Sequence, residues 1–482
     1  MSNTIWPPIS LNRDTNATLS GLDGGRSAGP KYLLLVQHLR EAIRDGALAA
    51  GAQLPTVRDL AQQLGVTPGT VARAYQIATA EGLLTAHVGR GTFVAEPPAP
   101  VVPHPLLAER AAGFDRDSGP VDLRTPQLAD VGQAAAIAQS LREAADAIGP
   151  EVVEYPGLRL DLACRQQVLR LLASYPLGPL GVDDLVLTHG GQNALGLVMQ
   201  CVLRGDRPLV LAEALAYPGI RQAARLNRAE IMGVPMDDEG ALPEAVEAIC
   251  LRHPVRLLCL TPEAQNPTTA RMGLARRQAM ADLARRYDFH LLEDDCFTTP
   301  ETGLPGLRAL APDRGWYCTS LSKSVSAGLR FGVMACPAGM GETGRLAAQY
   351  SFFGLSRPII ETVTRLIASG RSEALRDAAH AVVVERLKIA VDAFAGWDLR
   401  WQPGLSFMWL SMPIGWRAST FTRMAEAEGV LVRPADEYAL QDGQAPNAVR
   451  IALACGISEA RFRRALSVLV GLLSRPPGEM VI

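Results

Sequence analysis

Arginine carries nearly all the positive charge of this chain, and the few exceptions are chemically suggestive. Of the 47 Lys and Arg residues, only Lys31, Lys323 and Lys388 are lysines. Arginine stays protonated and forms no Schiff base, whereas a desolvated lysine amine can attack an aldehyde. Lys323 is the one best placed for such work. Ser320, Ser322, Ser324 and Ser326 surround it and Arg330 follows. Hydroxyls beside a fixed cation suit a phosphate. A nucleophilic amine next to a phosphate pocket is what pyridoxal phosphate (PLP) requires. A solvated lysine in a serine-rich loop fits the same residues equally well.

Other polar residues fall at the ends of apolar runs. Leu185 to Thr188, Leu209 to Ala212, Ile231 to Val234, Leu257 to Leu260, Leu291 to Glu293 and Tyr317 to Thr319 read as strands. Helical patterns such as Asn193 to Leu203 and Leu274 to Arg286 lie between them. This alternation predicts a mostly parallel sheet covered on both faces. Ligand groups in such sheets gather at the carboxyl ends of strands. Gly190-Gly191-Gln192 ends the first run; small residues there let N–H groups approach an anion at a helix start, and a plain turn would read the same. Tyr217 could stack on a flat ring or pack in a core. Asn266 offers an amide. Glu293-Asp294-Asp295 places three acids together, which is costly unless they face water or hold a cation. A protonated pyridine nitrogen is such a cation; magnesium, the competing cation, lacks a second acidic cluster. From about Glu373 the texture changes to a long helix, a run from Leu399 to Met412, a helix from Thr420, a strand near Leu431, a strand from Val449 to Leu453 and a final helix from Ser458, a smaller α+β lobe.

Ahead of this body lies a different pattern. Tyr32, Leu35, Val36, Leu39 and Ile43 predict an amphipathic helix closing near Gly46. Thr56 is the N-cap expected for a second helix and Thr67 for a third. Two short extended runs, Leu83 to Ala86 and Thr92 to Ala95, flank Val88-Gly89-Arg90-Gly91. Three helices and a glycine-tipped hairpin make a winged helix-turn-helix. Between residues 30 and 96 six basic side chains face five acidic ones, a net of +1. Phosphate contacts dominate DNA affinity, so a dimer presenting two heads is expected. A protein-interaction role for the head is the other reading. The proline-rich stretch from Glu96 to Pro105 reads as a stiff spacer.

Composition narrows the classes. At 482 residues, two or three domains are expected. With 48% hydrophobic and 20% charged residues and a net charge of −2, the chain is globular and has no global pull toward nucleic acid or membranes. Met1 to Pro30 lacks an apolar signal region, and no run reaches membrane-spanning length. Eight cysteines without a CxxC motif predict a reduced, cytoplasmic protein without a metal site.

Two resemblances follow from the residues. Leu54-Pro55-Thr56-Val57-Arg58-Asp59-Leu60-Ala61, Leu64-Gly65-Val66-Thr67, Thr70-Val71, Ala74-Tyr75 and Gly89-Arg90-Gly91-Thr92-Phe93-Val94 resemble the GntR-type bacterial repressor head. That resemblance implies Arg58, Thr67, Thr70, Arg73 and Arg90 at double-stranded DNA. Pro68-Gly69 stands where the family often carries an arginine, which removes a possible guanine contact. The later order of glycine turn, aromatic, Asn-Pro, Asp and Ser-x-x-Lys with a following Arg resembles the fold-type I, class I and II aminotransferases. It implies that Gly191, Gln192, Ser320 and Arg330 hold the phosphate, Tyr217 stacks on the ring and Asn266 bonds the ring oxygen. Asp294 would fix the pyridine nitrogen, Lys323 form the internal aldimine and Arg450 clamp a substrate carboxylate, a surface ion pair being the alternative for Arg450. Cys296 stands where relatives carry a tyrosine, and only Tyr155-Pro156-Gly157 remains of an upstream tyrosine-rich block.

Together the two halves resemble the MocR subfamily of GntR-type regulators. The expected fold is multidomain: a tail over 1–29, a winged helix-turn-helix over 30–96, a linker over 97–120, and an α/β PLP-dependent transferase body over 121–482 whose small lobe is mostly 373–482. The implied function is a PLP-dependent regulator that binds promoter half-sites as a head-to-tail homodimer. It would sense an amine or amino acid and show at most weak transamination. A working aminotransferase with an accessory head is the alternative, and a PLP-free regulator a third reading.

Overall fold

Two threonines set the helices of the amino-terminal unit. Thr56 accepts the Asp59 N–H at 3.3 Å and opens α2, Val57–Leu64, which follows α1, Lys31–Arg44. Gly65 ends α2 at φ +63, a left-handed conformation that costs glycine nothing. Thr67 accepts the Thr70 N–H at 3.3 Å at the start of α3, Pro68–Ala80. Leu39, Leu54, Leu60, Val71, Tyr75, Leu84 and Val94 form one small core. Strands β1, Leu84–His87, and β2, Gly91–Val94, pair antiparallel as the wing.

The structure is a computed structural model that describes residues 30–44, 47–49, 51–80, 83–87, 91–95, 119–155, 160–297, 303–440 and 445–475. The expected tail, Arg90 and nearly all of the linker lie outside these residues. The chain divides into two compact units, Met1–Ala108 and Glu109–Ile482.

In the second unit the six apolar runs become strands of a seven-stranded sheet among the described residues, completed by Gly332–Ala335, which the sequence reading did not single out. Its strands are β3 Leu185–Thr188, β4 Leu209–Glu213, β5 Glu230–Val234, β6 Val255–Leu260, β7 His290–Asp294, β8 Gly315–Ser320 and β9 Gly332–Ala335, in the order β3-β9-β8-β7-β6-β4-β5. All run parallel except β9, which is antiparallel to both neighbours. Strands buried on both faces need no polar alternation, which is why Leu257, Leu258, Cys259 and Leu260 follow one another. Helix α4, Gly191–Val202, packs on one face with Trp316 and Met334, while Met280, Phe289 and Leu291 belong to the core of the other. A Cβ on Gly332 would come within 2.7 Å of the Gly190 backbone, so glycine at the start of β9 lets the β3 exit loop close over the sheet edge.

The smaller lobe contains the 23-residue helix α5, Arg371–Ala393, and α6, Glu459–Leu473, capped by Ser458. They cover a four-stranded sheet of β10 Leu399–Arg400, β11 Phe407–Ser411, β12 Arg433–Pro434 and β13 Ala448–Ala452, ordered β10-β11-β13-β12. Phe394, Met408, Phe421, Ile451 and Phe462 form its core.

Candidate functional site

Strand alternation sorts the three acids at the end of β7. Successive side chains point to opposite faces, so Glu293 and Asp295 turn away from Asp294 and Cys296. Glu293 accepts the Leu307 N–H at 2.7 Å, and burial pushes it up to about 7. Asp295 accepts the Tyr317 hydroxyl at 2.9 Å. Two of the three acids therefore have hydrogen-bond donors within the protein, and Arg277 acts on Glu293 as well. Among the described residues Asp294 accepts only a weak S–H bond, from Cys296 at 3.0 Å, and burial raises its proton affinity. A cation is what this carboxylate lacks.

The end of β8 supplies the amine. Burial first, then the nearby Arg450, pushes the Lys323 ammonium down to about 8. Its Nζ lies 5.8 Å from the Phe297 ring centre. Ser320 accepts the Ser322 N–H at 3.4 Å and its Oγ is 3.9 Å from Cys296 Sγ, while Ser322 Oγ is buried without a hydrogen bond among the described residues. Lys323, Ser320, Cys296 and Phe297 line an open cleft of about 980 Å³ of empty space, solvent included.

The turn from β3 into α4 provides the anion cradle. A Cβ on Gly190 would lie 2.8 Å from Arg330 Nη2, and one on Gly191 2.9 Å from Cys296 Sγ. Glycine at both keeps the positive end of α4 open. Arg330 donates from Nη2 to the His189 carbonyl at 2.9 Å. Gln192 donates its side chain to the Gly219 carbonyl at 2.9 Å, which leaves its backbone N–H as the donor that would serve an anion. That bond ties α4 to the loop of Tyr217, whose hydroxyl burial, then Asp294, pushes up to about 12.

Arg450, on β13, donates from Nη1 to Asn266 Oδ1 at 2.7 Å and from Nη2 to the Arg124 carbonyl at 2.6 Å. Its guanidinium is buried and lies 5.1 Å from the Phe407 ring and 5.2 Å from the Tyr438 ring. Among the described residues it has no carboxylate partner. Among the described residues the Asn266 Nδ2 protons have no acceptor.

The described body thus brings Gly191, Gln192, Tyr217, Asn266, Asp294, Ser320, Lys323, Arg330 and Arg450 into one neighbourhood. The donor set fits PLP: an open glycine cradle with Arg330 for the phosphate, a carboxylate short of a cation for the ring nitrogen, and a desolvated amine for the aldehyde. Bound there, PLP would supply an electrophilic carbon for amines and an electron sink. In the head, Arg58 and Arg73 are exposed, whereas Thr67 and Thr70 share a 2.9 Å hydroxyl contact in the α3 cap. Tyr155 is exposed and stacks on Phe353 rather than entering the cleft.

Sequence reasoning missed Phe297, which lines the cleft, and the buried Phe407 and Tyr438 rings beside Arg450, none of which has a local signature. It also missed Glu213 at the end of β4. Glu213 Oε2 accepts Thr261 Oγ1–H at 2.7 Å and Gln265 Nε2–H at 3.3 Å, and Gln265 also bonds the Leu215 carbonyl at 2.6 Å. This network fixes the loop that carries Asn266. An acid closing the run Leu209 to Ala212 was the available signal.

Comparison with known proteins matches the same two parts. Residues 31–94 match the bacterial regulatory proteins of the gntR family, and residues 121–469 match aminotransferase class I and II. The uncharacterized HTH-type transcriptional regulator YdeF of Bacillus subtilis is 26% identical over 455 residues, covering 92% of this chain and 94% of its own. The HTH-type transcriptional regulator TauR of Rhodobacter capsulatus is 29% identical over 447 residues, covering 83% and 88%. A crystal structure of an archaeal alanine:glyoxylate aminotransferase shares the fold at a TM-score of 0.66 and 21% identity, over 74% of this chain and 91% of that one. With the aminotransferase pattern spanning most of its length and the gntR pattern its head, the chain belongs to the aminotransferase class I and II family and, within it, to the MocR type that carries a GntR head.

Proposed function

We propose that this protein is a PLP-dependent transcriptional regulator that binds promoter DNA through its head and senses an amino acid or related amine through its body. The observation that carries this reading is the fusion itself: a gntR-type head on the same chain as a body in which a desolvated lysine lies near an arginine that has no carboxylate partner among the described residues. Lys323 would hold PLP, Asp294 would neutralise its ring nitrogen, and Arg330 with the α4 start would hold its phosphate. Arg450 would take the carboxylate of the effector. An effector acts only through different affinities for two states of the protein. Release of the Lys323 amine on effector binding supplies such a difference.

Weak turnover fits Cys296, since a thiol is a poor donor beside the ring. A homodimer with heads crossing to the partner's body is the expected assembly. The exposed Tyr155, Tyr350 and Phe353 of the body support a second copy as cover. The cytoplasm, where promoter DNA lies, is the expected compartment.

The test is binding of the full-length protein to DNA upstream of its own gene, with PLP and with candidate amino acids. Effector-dependent binding that Lys323→Ala abolishes supports the reading. Sustained transamination at enzyme-like rates, with DNA binding indifferent to PLP, would replace it with the aminotransferase alternative.

A further inference from the structure

The cleft beside Lys323 extends well beyond the groups assigned to PLP. Cys296, Ser320 and Lys323 line one part of it, whereas Gly191, Asn266, Asp294, Arg330 and Arg450 do not line it. Another wall is the middle of α5, where Ser372, Arg376, His380 and Val383 recur at helical spacing and so share one face. Helix α5 joins two cores. Leu375 packs with Val168, Leu172 and Phe331, whereas Val383 and Leu387 belong to the core of the smaller lobe. The cleft opens where the helix passes from one core to the other, so a molecule filling it would touch both lobes.

The chemistry of the lining is selective. Val168, Leu172, Val325, Phe331, Val333 and Val383 give it buried apolar walls. Among the described lining residues there is no aspartate or glutamate, while Lys323, Arg376 and His380 are basic. Arg376 donates from Nε to Asp377 at 3.1 Å, but that carboxylate is 70% exposed and lies outside the lining. Such a pair is weak. The two Nη groups of Arg376 have no hydrogen bond among the described residues. Its charge reaches into the cleft, since it acts on the Tyr175 hydroxyl, which also belongs to the lining. Apolar walls with one guanidinium fork suit an apolar body that ends in a carboxylate. We infer that this cleft is a second ligand site, for a small apolar monocarboxylate that docks its carboxylate on Arg376. The site goes beyond the proposed effector pocket, because it uses neither Arg450 nor an amine on the ligand. Its occupant lies against Lys323 and across the junction of the lobes, and would favour whichever arrangement of the lobes closes on it.

The experiment is calorimetric titration of the full-length protein, with PLP present, using phenylacetate and its isostere phenylacetamide. Neither carries an amine that could react with PLP. Phenylacetate is expected to bind about tenfold or more tightly than the amide, the scale of one charge-assisted pair. Arg376→Met should abolish that preference and leave the amide's affinity nearly unchanged, and Arg376→Lys should restore part of it. Ala379→Leu, which fills the cleft from α5, should weaken both ligands. Equal binding of acid and amide, binding of neither, or a preference that survives Arg376→Met overturns the inference. A preference lost in Arg450→Met and kept in Arg376→Met would place the carboxylate in the effector pocket and overturn it as well, while the PLP reading stands.

Discussion

Cys296 Sγ lies 3.0 Å from Asp294 Oδ1 and is the hydrogen-bond partner given to that carboxylate by the described residues. A thiol is a weak donor, and burial leaves Asp294 ready for a full cation. Asp294→Ala should therefore weaken PLP binding by roughly a hundredfold or more, the scale of losing one member of a buried charge pair. Cys296→Ala should weaken it less than about tenfold, the scale of one modest hydrogen bond. Equilibrium titration of the two apoproteins with PLP separates these outcomes; equal losses would deny Asp294 its role.

Lys323 gives a pH-dependent prediction. Only the neutral amine attacks an aldehyde, and burial with Arg450 brings the ammonium down to about 8 from an ordinary value near 10.5. The rate at which apoprotein takes up PLP should rise with pH and level off above about 8. The visible band that results should be bleached by borohydride and absent in Lys323→Ala. A rate still climbing steeply at pH 10 would place the lysine in water.

Glu213 gives a second. Burial raises its folded-state value to about 7 from 4.5, against the bonds from Thr261 and Gln265. A carboxyl raised in this way contributes stability that is fully present below about 4.5 and lost as pH rises through about 7. Glu213→Gln keeps an acceptor for Thr261 and carries no charge. The variant should hold roughly 1–3 kcal/mol more stability than the wild type at pH 8 and no such advantage at pH 4.5. Urea unfolding at the two pH values decides; an advantage independent of pH would exclude titration as its cause.

The head allows a fourth. Arg58 is exposed on α2, where a phosphate contact would release one counterion. Arg58→Ala should weaken DNA binding across sequences and reduce the salt slope by about 1. Thr67→Ala should instead destabilise the head by about 1 kcal/mol, because Thr67 caps α3. A salt slope unchanged in Arg58→Ala would remove that residue from the phosphate contacts.

Much of the fold and part of the cleft were legible beforehand. The caps at Thr56 and Thr67 and the helix Leu274–Arg286 stand where local spacing put them, since capping and amphipathic periodicity act within a few residues. Strand β9, Gly332–Ala335, was not singled out from the sequence, and its reversal was not legible either, because an apolar strand buried on both faces reads the same in either direction. The three acids at Glu293–Asp295 read as one cluster; the pleat, together with Leu307 and Tyr317, leaves one of them for the cleft.

The sequence by itself determined the two-part organisation and singled out Lys323 as a candidate, because a lysine among arginines and a serine-rich turn are facts of composition and short-range order. The tertiary structure decided which groups meet. Asn266 and Arg450 lie 184 residues apart yet share a 2.7 Å bond, and Arg433 faces Arg450 across two strands. Register between strands distant in sequence follows from how whole lobes pack, and no local pattern of residues carries it.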